Sequence, residues 1–537
     1  MIRNTSGFAP EKDAIIFNIE DFGAVGDGET NDGHAFGKAM RAIGEAPKDV
    51  QKVLYLKPDT TYRITEIGEV DHKGNGISCT IQLTDCDNVA IVGDNSALSI
   101  RVPCGFLSME RCNNIHISGI DAGFNPSPMV VGKIKSFTPD GEWFEFEVDE
   151  DEDCGLEVGK PLENIPHGIA FFMLPNNPDI RQDFFLTSME LVRPGLLRVR
   201  QLVDWVKNKI QWYMHGVKVG DEFVIPRWQY GQVLMGGKIP SMSYSYVDGF
   251  VMHSCHIHDI PLMIAGFSMC GDMLFKNVHA VPKEGDRNLL VSWRDGYHCK
   301  DHVKPAIWED CTIGMLGDDV YNIAYCDRRV KAVIDEKTFV MDKILLKAGD
   351  TLATVDSGDG KFFGESKVAA VDSESREGEI VVTLENAING LVDGATLNVM
   401  FTSTNPGLIV RNTKMVGSIR VKAPVTFEKC DIRTSIFYIS NEASCGEGPI
   451  PYGITLRDCD IVSTYPGQAW LETPTIPSNE ELTKDAPNSN LVIYVNAHRR
   501  NLDVTPDEAY KPRNITIEKC RIVGKTDFNG YDVNFIE

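Results

Sequence analysis

A chain of 537 residues is too long for one core and reads either as several domains or as one elongated repeat fold; 42% hydrophobic residues is ordinary for a soluble protein. A formal charge of -24 excludes a protein built to track nucleic-acid phosphates, which requires Lys and Arg. No run of about eighteen apolar residues occurs, so neither a membrane-spanning helix nor a membrane partner is expected.

The opening, MIRNTSGFAPEKDAIIF, lacks a long apolar core and a small-residue cleavage site. A cytoplasmic location is the expectation, with a secreted mature form as the alternative. FNIEDFGAVGDG (17–28) reads as a strand and a Gly/Asp-rich turn. In the following TNDGHAFGKAMRAIGEA, residues Ala35, Phe36, Ala39, Met40 and Ile43 fall at helical spacing, with Thr30, Asn31 or Asp32 as N-cap. KVLYLKPDTTYRI is strand, turn at Pro58-Asp59, strand.

A repeat then begins. DCDNVAIVG (85–93), RCNNIHISG (111–119), SCHIHDI (254–260), DCTIGML (310–316), KCDIRTS (429–435), DCDIVST (458–464) and KCRIVGK (519–525) share one design: a Cys, then a short β-branched run. KNVHAV (276–281) and RNTKMV (411–416) fit the frame with Asn277 and Asn412 in the Cys place. Short strands recurring at roughly 20 to 30 residues indicate a solenoid, here a right-handed parallel β-helix. Cys and Asn suit its interior corners, thiols as small apolar groups and amides as ladder-forming pairs. The 14 Cys include no CxxC pair, so neither a zinc ribbon nor a thioredoxin motif is present. A helix over Phe22–Met40 is expected to cover the open N-terminal edge.

Two stretches break the repeat with alternating apolar and polar residues: KIKSFTPDGEWFEFEVDE to VKVGDEFVIPRW, and VKAVIDEKTFVM to DGATLNVMF. The expected architecture is therefore all-β. Residues 1–129 form the N-terminal cap and first coils, and 130–235 an inserted β-barrel-like domain. Residues 236–327 form the site-bearing coils, 328–404 a second inserted β-barrel-like domain, and 405–537 the C-terminal coils.

The chemistry concentrates in VSWRDGYHCKDHVKPAIWEDCTIGMLGDDVYNIAY (291–325). Asp295 on one coil and Asp318 with Asp319 on the next would stand about one strand spacing apart, roughly 4.8 Å. Carboxylates facing one cleft can protonate a leaving oxygen and activate water. Gly317-Asp318-Asp319 equally reads as an ordinary turn. Adjacent strand residues point to opposite faces, so both acids reach one groove only if Gly317 allows a bulge or corner. Arg294, His298, Lys300 and Asn322 flank the acids as substrate-binding candidates or as surface partners. His298 has no metal-ligand spacing with another residue, and no metal or cofactor is expected. Trp293, Trp308 and Tyr321 offer stacking faces or core packing. In SNEASCGEGPI (440–450), Glu442 and Glu447 are further cleft candidates.

DFGAVGDGETND resembles the opening motif of pectin-lyase-like β-helix carbohydrate enzymes. RDGYHCKD…IWEDCTIGMLGDDVYNI is similar to the core of glycoside hydrolase family 110, the inverting α-1,3-galactosidases. GLIVRNTKMVGSIRVKAPVTFEKCDI and FYISNEASCGEGPIPYGITLRDCDI resemble that family's later coils. The resemblance covers about two thirds of the chain. It implies Asp318 as general acid, Asp295 and Asp319 as the residues that position and activate water, and a galactose-containing glycan as substrate. It also implies acid and base carboxyl groups roughly 6.5–9.5 Å apart. The RIK-type basic motif of polygalacturonases is poorly matched by VRNTK and GSIRVKA, which favours a neutral galactoside over pectin. A uronic-acid or sulfated galactan hydrolase and a non-catalytic glycan-binding β-helix remain the alternatives, and a homo-oligomer is left open.

Overall fold

The residue before each repeat Cys has a left-handed backbone: Asp85, Arg111, Ser254, Asp310, Lys429, Asp458 and Lys519 have φ between 50° and 57°. That conformation turns one strand into the next. The turn leaves a carbonyl facing the interior, and a buried carbonyl needs a donor. The Cys thiol supplies it: Cys311 donates to the Glu309 carbonyl at 3.3 Å and Cys459 to that of Arg457 at 3.2 Å. Asn277 and Asn412 do not occupy the Cys place. They take the left-handed position before it (φ 54° and 50°), which Asn tolerates, and Val278 and Thr413 face inward instead. The motifs also divide between two corners. Asp87, Asn113 and Asp248 pair in succession, which stacks Cys86, Cys112 and Val247. Thr312, Lys414, Asp431, Asp460 and Arg521 pair in succession, which stacks Cys311, Thr413, Cys430, Cys459 and Cys520 on a separate edge.

The computed structural model describes residues 8–68, 79–165, 171–172, 184–201, 217–227, 241–283, 285, 289–356, 361–434, 436–440, 451–463, 491–496, 511–528 and 530–537. These wind as a right-handed parallel β-helix, with a 19-stranded and a 10-stranded parallel sheet among the described residues. The ten-stranded sheet carries the site. Its order is Cys79–Thr84, Gly105–Glu110, Met242–Ser245, Ala265–Ser268, Tyr297–Lys300, Tyr321–Ala324, Ile419–Val421, Phe437–Ser440, Leu491–Asn496 and Lys525–Asp527.

The two inserts interrupt this winding without breaking it. Gly105–Glu110 pairs directly with Met242–Ser245, and Tyr321–Ala324 with Ile419–Val421. The intervening chain folds into two seven-stranded antiparallel sheets, spanning 129–226 and 327–400. The first has its own core around Phe144, Phe146, Val199 and Phe223. The core of the second, including Phe339, Leu352 and Val399, is continuous with that of the solenoid.

The residues at helical spacing, Ala35, Phe36, Ala39, Met40 and Ile43, are buried on the N-terminal helix, but that helix starts later than the expected Phe22 and runs past Met40. It spans Gly33–Glu45, after a 3-10 turn at Ile19–Phe22 and a strand at Asp27–Asn31. Gly23, Gly26 and Gly28 all have left-handed φ, which ends any helix begun at Phe22. Asp32 makes no cap bond to the helix; its carboxylate accepts from the backbone N–H of Val25 and Gly26 at 2.6 and 3.2 Å. Among the described residues, no helix is long and apolar enough to cross a membrane.

Candidate active site

The site forms where one strand of the helix turns into the next. Ser292 bridges Leu316, and after a four-residue corner Tyr297 pairs with Tyr321. Asp295 and Asp319 therefore occupy the same place on neighbouring coils. The Gly296 N–H donates to the Asp319 carbonyl at 2.8 Å, closing one corner onto the next. A Cβ on Gly296 would stand 2.5 Å from the Val320 carbonyl oxygen, so only glycine permits that approach. Residues 317–320 are corner rather than strand, which frees Asp318 and Asp319 from opposite-face alternation. The corner arises without a left-handed Gly317; that residue instead donates its N–H to the Ser292 carbonyl at 3.0 Å.

The three acids converge. One carboxylate oxygen from each of Asp295, Asp318 and Asp319 lies within 4.8 Å of the others. At their nearest atoms they are closer than the carboxyl separation implied for an inverting pair, because the acids sit on stacked coils. Asp319 is buried and fully engaged: Oδ1 accepts from Ser418 Oγ at 2.7 Å and Oδ2 from Arg420 Nε at 2.9 Å. Asp295 is buried, with His298 Nε2 at 3.5 Å from its Oδ2.

Asp318 differs. Its side chain keeps 41% exposure. Desolvation first, and then the neighbouring Asp319 charge, push its carboxyl up to about 6, against the opposing pull of Arg294 and Arg420. Arg294 stands 3.5 Å from its Oδ2.

Beside the acids a row of register partners runs across paired strands: Gly266, His298, Asn322, Arg420, Tyr438 and Tyr494, of which Tyr438 and Tyr494 are buried. Asn322 is buried, and its Oδ1 accepts from Lys300 Nζ at 2.6 Å, so it braces Lys300. Arg420 lies 4.8 Å from the Tyr438 ring centre, which orients the guanidinium that holds Asp319. Trp293, Trp308 and Tyr321 are buried and present no stacking face to the groove. Trp308 stacks on Phe275 at 5.2 Å, and Trp293 packs with Met129, Val224 and Leu290 where the first insert meets the helix. Glu442 and Glu447 lie outside the described residues.

Ser418, Arg420 and Tyr438 were not among the residues expected from sequence. The signal for Ser418 and Arg420 was present in GSIRVKA, which lies one coil after GDDVYNI and in register with it, Ile419 against Tyr321; Tyr438 lies in FYIS, one coil further on. Two clusters of the described residues have the composition to hold a metal ion: these three Asp, and Asp121 with His256 and His258. At the first, the cations Arg294 and Arg420 already face the carboxylates.

No protein-family model and no curated protein matches this chain. Among solved structures it is similar to the A-module of the mannuronan C-5 epimerase AlgE4 of Azotobacter vinelandii, at 10% identity and TM-score 0.36, over 97% of this chain and 95% of that one. It is similar to a hyperthermoactive exopolygalacturonase from Thermotoga maritima, at 10% identity and TM-score 0.35, over 98% and 93%. A family 28 exopolygalacturonase from Yersinia enterocolitica is similar at 11% identity and TM-score 0.28, over 98% and 77%. The chain itself is a parallel β-helix protein whose corner gathers three carboxylates beside a cationic and aromatic ladder.

Proposed function

We propose that this protein is a glycoside hydrolase that removes terminal α-1,3-linked galactose from glycans. The observation that carries the reading is the contrast among the three acids. Asp318 reaches the groove and holds its proton up to about pH 6, beside two buried carboxylates whose side chains are oriented by neighbours. That is the division of labour hydrolysis requires: one group protonates the leaving oxygen, and others activate water. Asp318 is the acid. Asp295 and Asp319 position and deprotonate the water, with Ser418 and Arg420 fixing Asp319. The galactose specificity and the inversion rest on the resemblance of residues 291–325 to family 110.

The test is proton NMR of the anomeric signals with an α-1,3-linked galactose disaccharide. β-Galactose appearing first supports the linkage and the inverting mechanism together. α-Galactose first keeps the hydrolase and discards inversion. No release from this substrate discards the α-galactosidase reading.

One observation favours a second reading. Arg294, His298 and Arg420 all stand at the acids, a charge balance suited to an anionic sugar. On that reading the substrate is a uronic-acid or sulfated galactan, and such oligosaccharides are cleaved where the neutral disaccharide is not. If neither class is cleaved while sugars still bind, the protein is a glycan-binding β-helix.

A further inference from the structure

A second constellation lies on the larger parallel sheet. Asp121 and His256 are register partners on adjacent strands, Asn113–Phe124 and Asp248–His258. His258 is two residues beyond His256, so both rings project from the same face. Gly123, the register partner of His258, makes room for its ring: a Cβ there would stand 2.2 Å from the imidazole. His258 Nε2 lies 2.9 Å and His256 Nδ1 3.5 Å from the same oxygen, Asp121 Oδ1. One ligand atom from each of the three residues falls within 4.8 Å of the others.

The far side of each ring is also held. His256 Nε2 meets the Val281 carbonyl at 3.0 Å, which fixes that nitrogen as the N–H and leaves Nδ1 as the ligand atom. His258 Nδ1 meets Asp259 Oδ2 at 2.6 Å, and the buried Asp259 is itself held by Ser127 Oγ at 2.9 Å. Backbone-carbonyl and carboxylate partners behind the rings are what metal-binding imidazoles use to set tautomer and orientation. The cluster opens on a cleft of about 740 Å³ between the helix and the first insert, where Asp149, Asp151 and Asp153 add negative charge. Lys283 reaches in from a half-exposed position, its Nζ 2.9 Å from Asp121 Oδ2.

We propose that Asp121, His256 and His258 bind a divalent transition-metal ion of the zinc class. Two imidazoles and one carboxylate match its ligand preferences, and a three-residue set leaves a coordination position open to the cleft. Lys283 competes for Asp121 and weakens the site. Asp259 and Val281 are positioning groups behind the two rings.

The experiment strips the full-length protein with a chelator and titrates it with Co²⁺, reading the ligand-field absorption and the stoichiometry by equilibrium dialysis. The expected result is one equivalent of Co²⁺ with a distorted tetrahedral or five-coordinate spectrum, displaced by Zn²⁺. Asp121→Asn and His258→Ala abolish the spectrum, and circular dichroism reports whether each variant is folded. Lys283→Ala, a half-exposed change that spares the core, tightens Co²⁺ binding several-fold. Absence of Co²⁺ uptake by the wild type overturns the proposal, leaving the cluster as a charge-paired clamp. Uptake that survives His258→Ala but is lost in Asp318→Asn also overturns it, placing the ion at the three aspartates instead.

Discussion

The backbone N–H of Asp319 donates to Asp318 Oδ1 at 3.1 Å, so the peptide that joins the two aspartates also orients the first of them. Asp319 keeps one carboxylate oxygen within 4.8 Å of Asp295 and Asp318 while accepting from Ser418 and Arg420. Adjacent residues thus meet different surroundings: one faces the groove and keeps its proton, and the other is locked into the next coil.

Asp318→Asn removes the proton donor and is expected to lower kcat by about 10²–10⁴-fold. Aryl galactosides, whose leaving groups need less protonation, lose less than the disaccharide. Comparison of the two substrates in steady-state assays checks this.

The pH dependence follows from the raised carboxyl of Asp318. As general acid it acts in its protonated form, so wild-type activity falls as pH rises through about 6. The same group affects stability. Its folded value lies above the unfolded one, so its contribution is full below the unfolded carboxylate range and is lost as pH rises through about 6. Asp318→Asn is therefore expected to melt higher than wild type at about pH 8 and no higher at about pH 3, by differential scanning fluorimetry. Because the side chain is 41% exposed, water screens this effect and it remains small.

Arg420→Ala leaves Asp319 Oδ2 without its guanidinium and is expected to cost about 10²-fold in kcat through misplacement of that carboxylate. Arg420→Lys retains the charge but loses the planar Nε–H contact and the orientation over Tyr438, so it rescues only partly. Kinetics of the two variants, with a KM comparison, separate positioning from binding.

Gly296→Ala pushes a methyl group against the Val320 carbonyl, 2.5 Å away, in a corner shared by two coils. The expected cost is about 1–3 kcal/mol of stability, with a drop in activity because Asp295 is the preceding residue. Urea unfolding and a parallel assay measure both.

Trp308→Ala opens a cavity between Phe275, Tyr297 and Tyr321, all buried against it. A loss of about 3–5 kcal/mol is expected. By contrast, a reducing agent leaves the melting temperature unchanged, since the cysteines of the described residues are free.

Much was legible in the residues alone. The recurring Cys before β-branched runs gave the solenoid, because successive coils repeat their corners with a small inward group. Alternating runs at 130–235 and 328–404 suggested two inserted β-barrel-like domains; the described residues there form two seven-stranded antiparallel sheets. Asp295, Asp318 and Asp319 stood out because their spacing matched about one coil. What the tertiary structure decided was register. The left-handed φ of Asn277 and Asn412 is invisible in composition, and a one-residue slip moved them from the Cys place to the turn before it. Register also brought Arg420 to Asp319 across 101 positions of sequence and Asp121 to His256 across the whole first insert. No local pattern encodes such meetings; they exist because parallel coils stack distant residues at a fixed strand spacing.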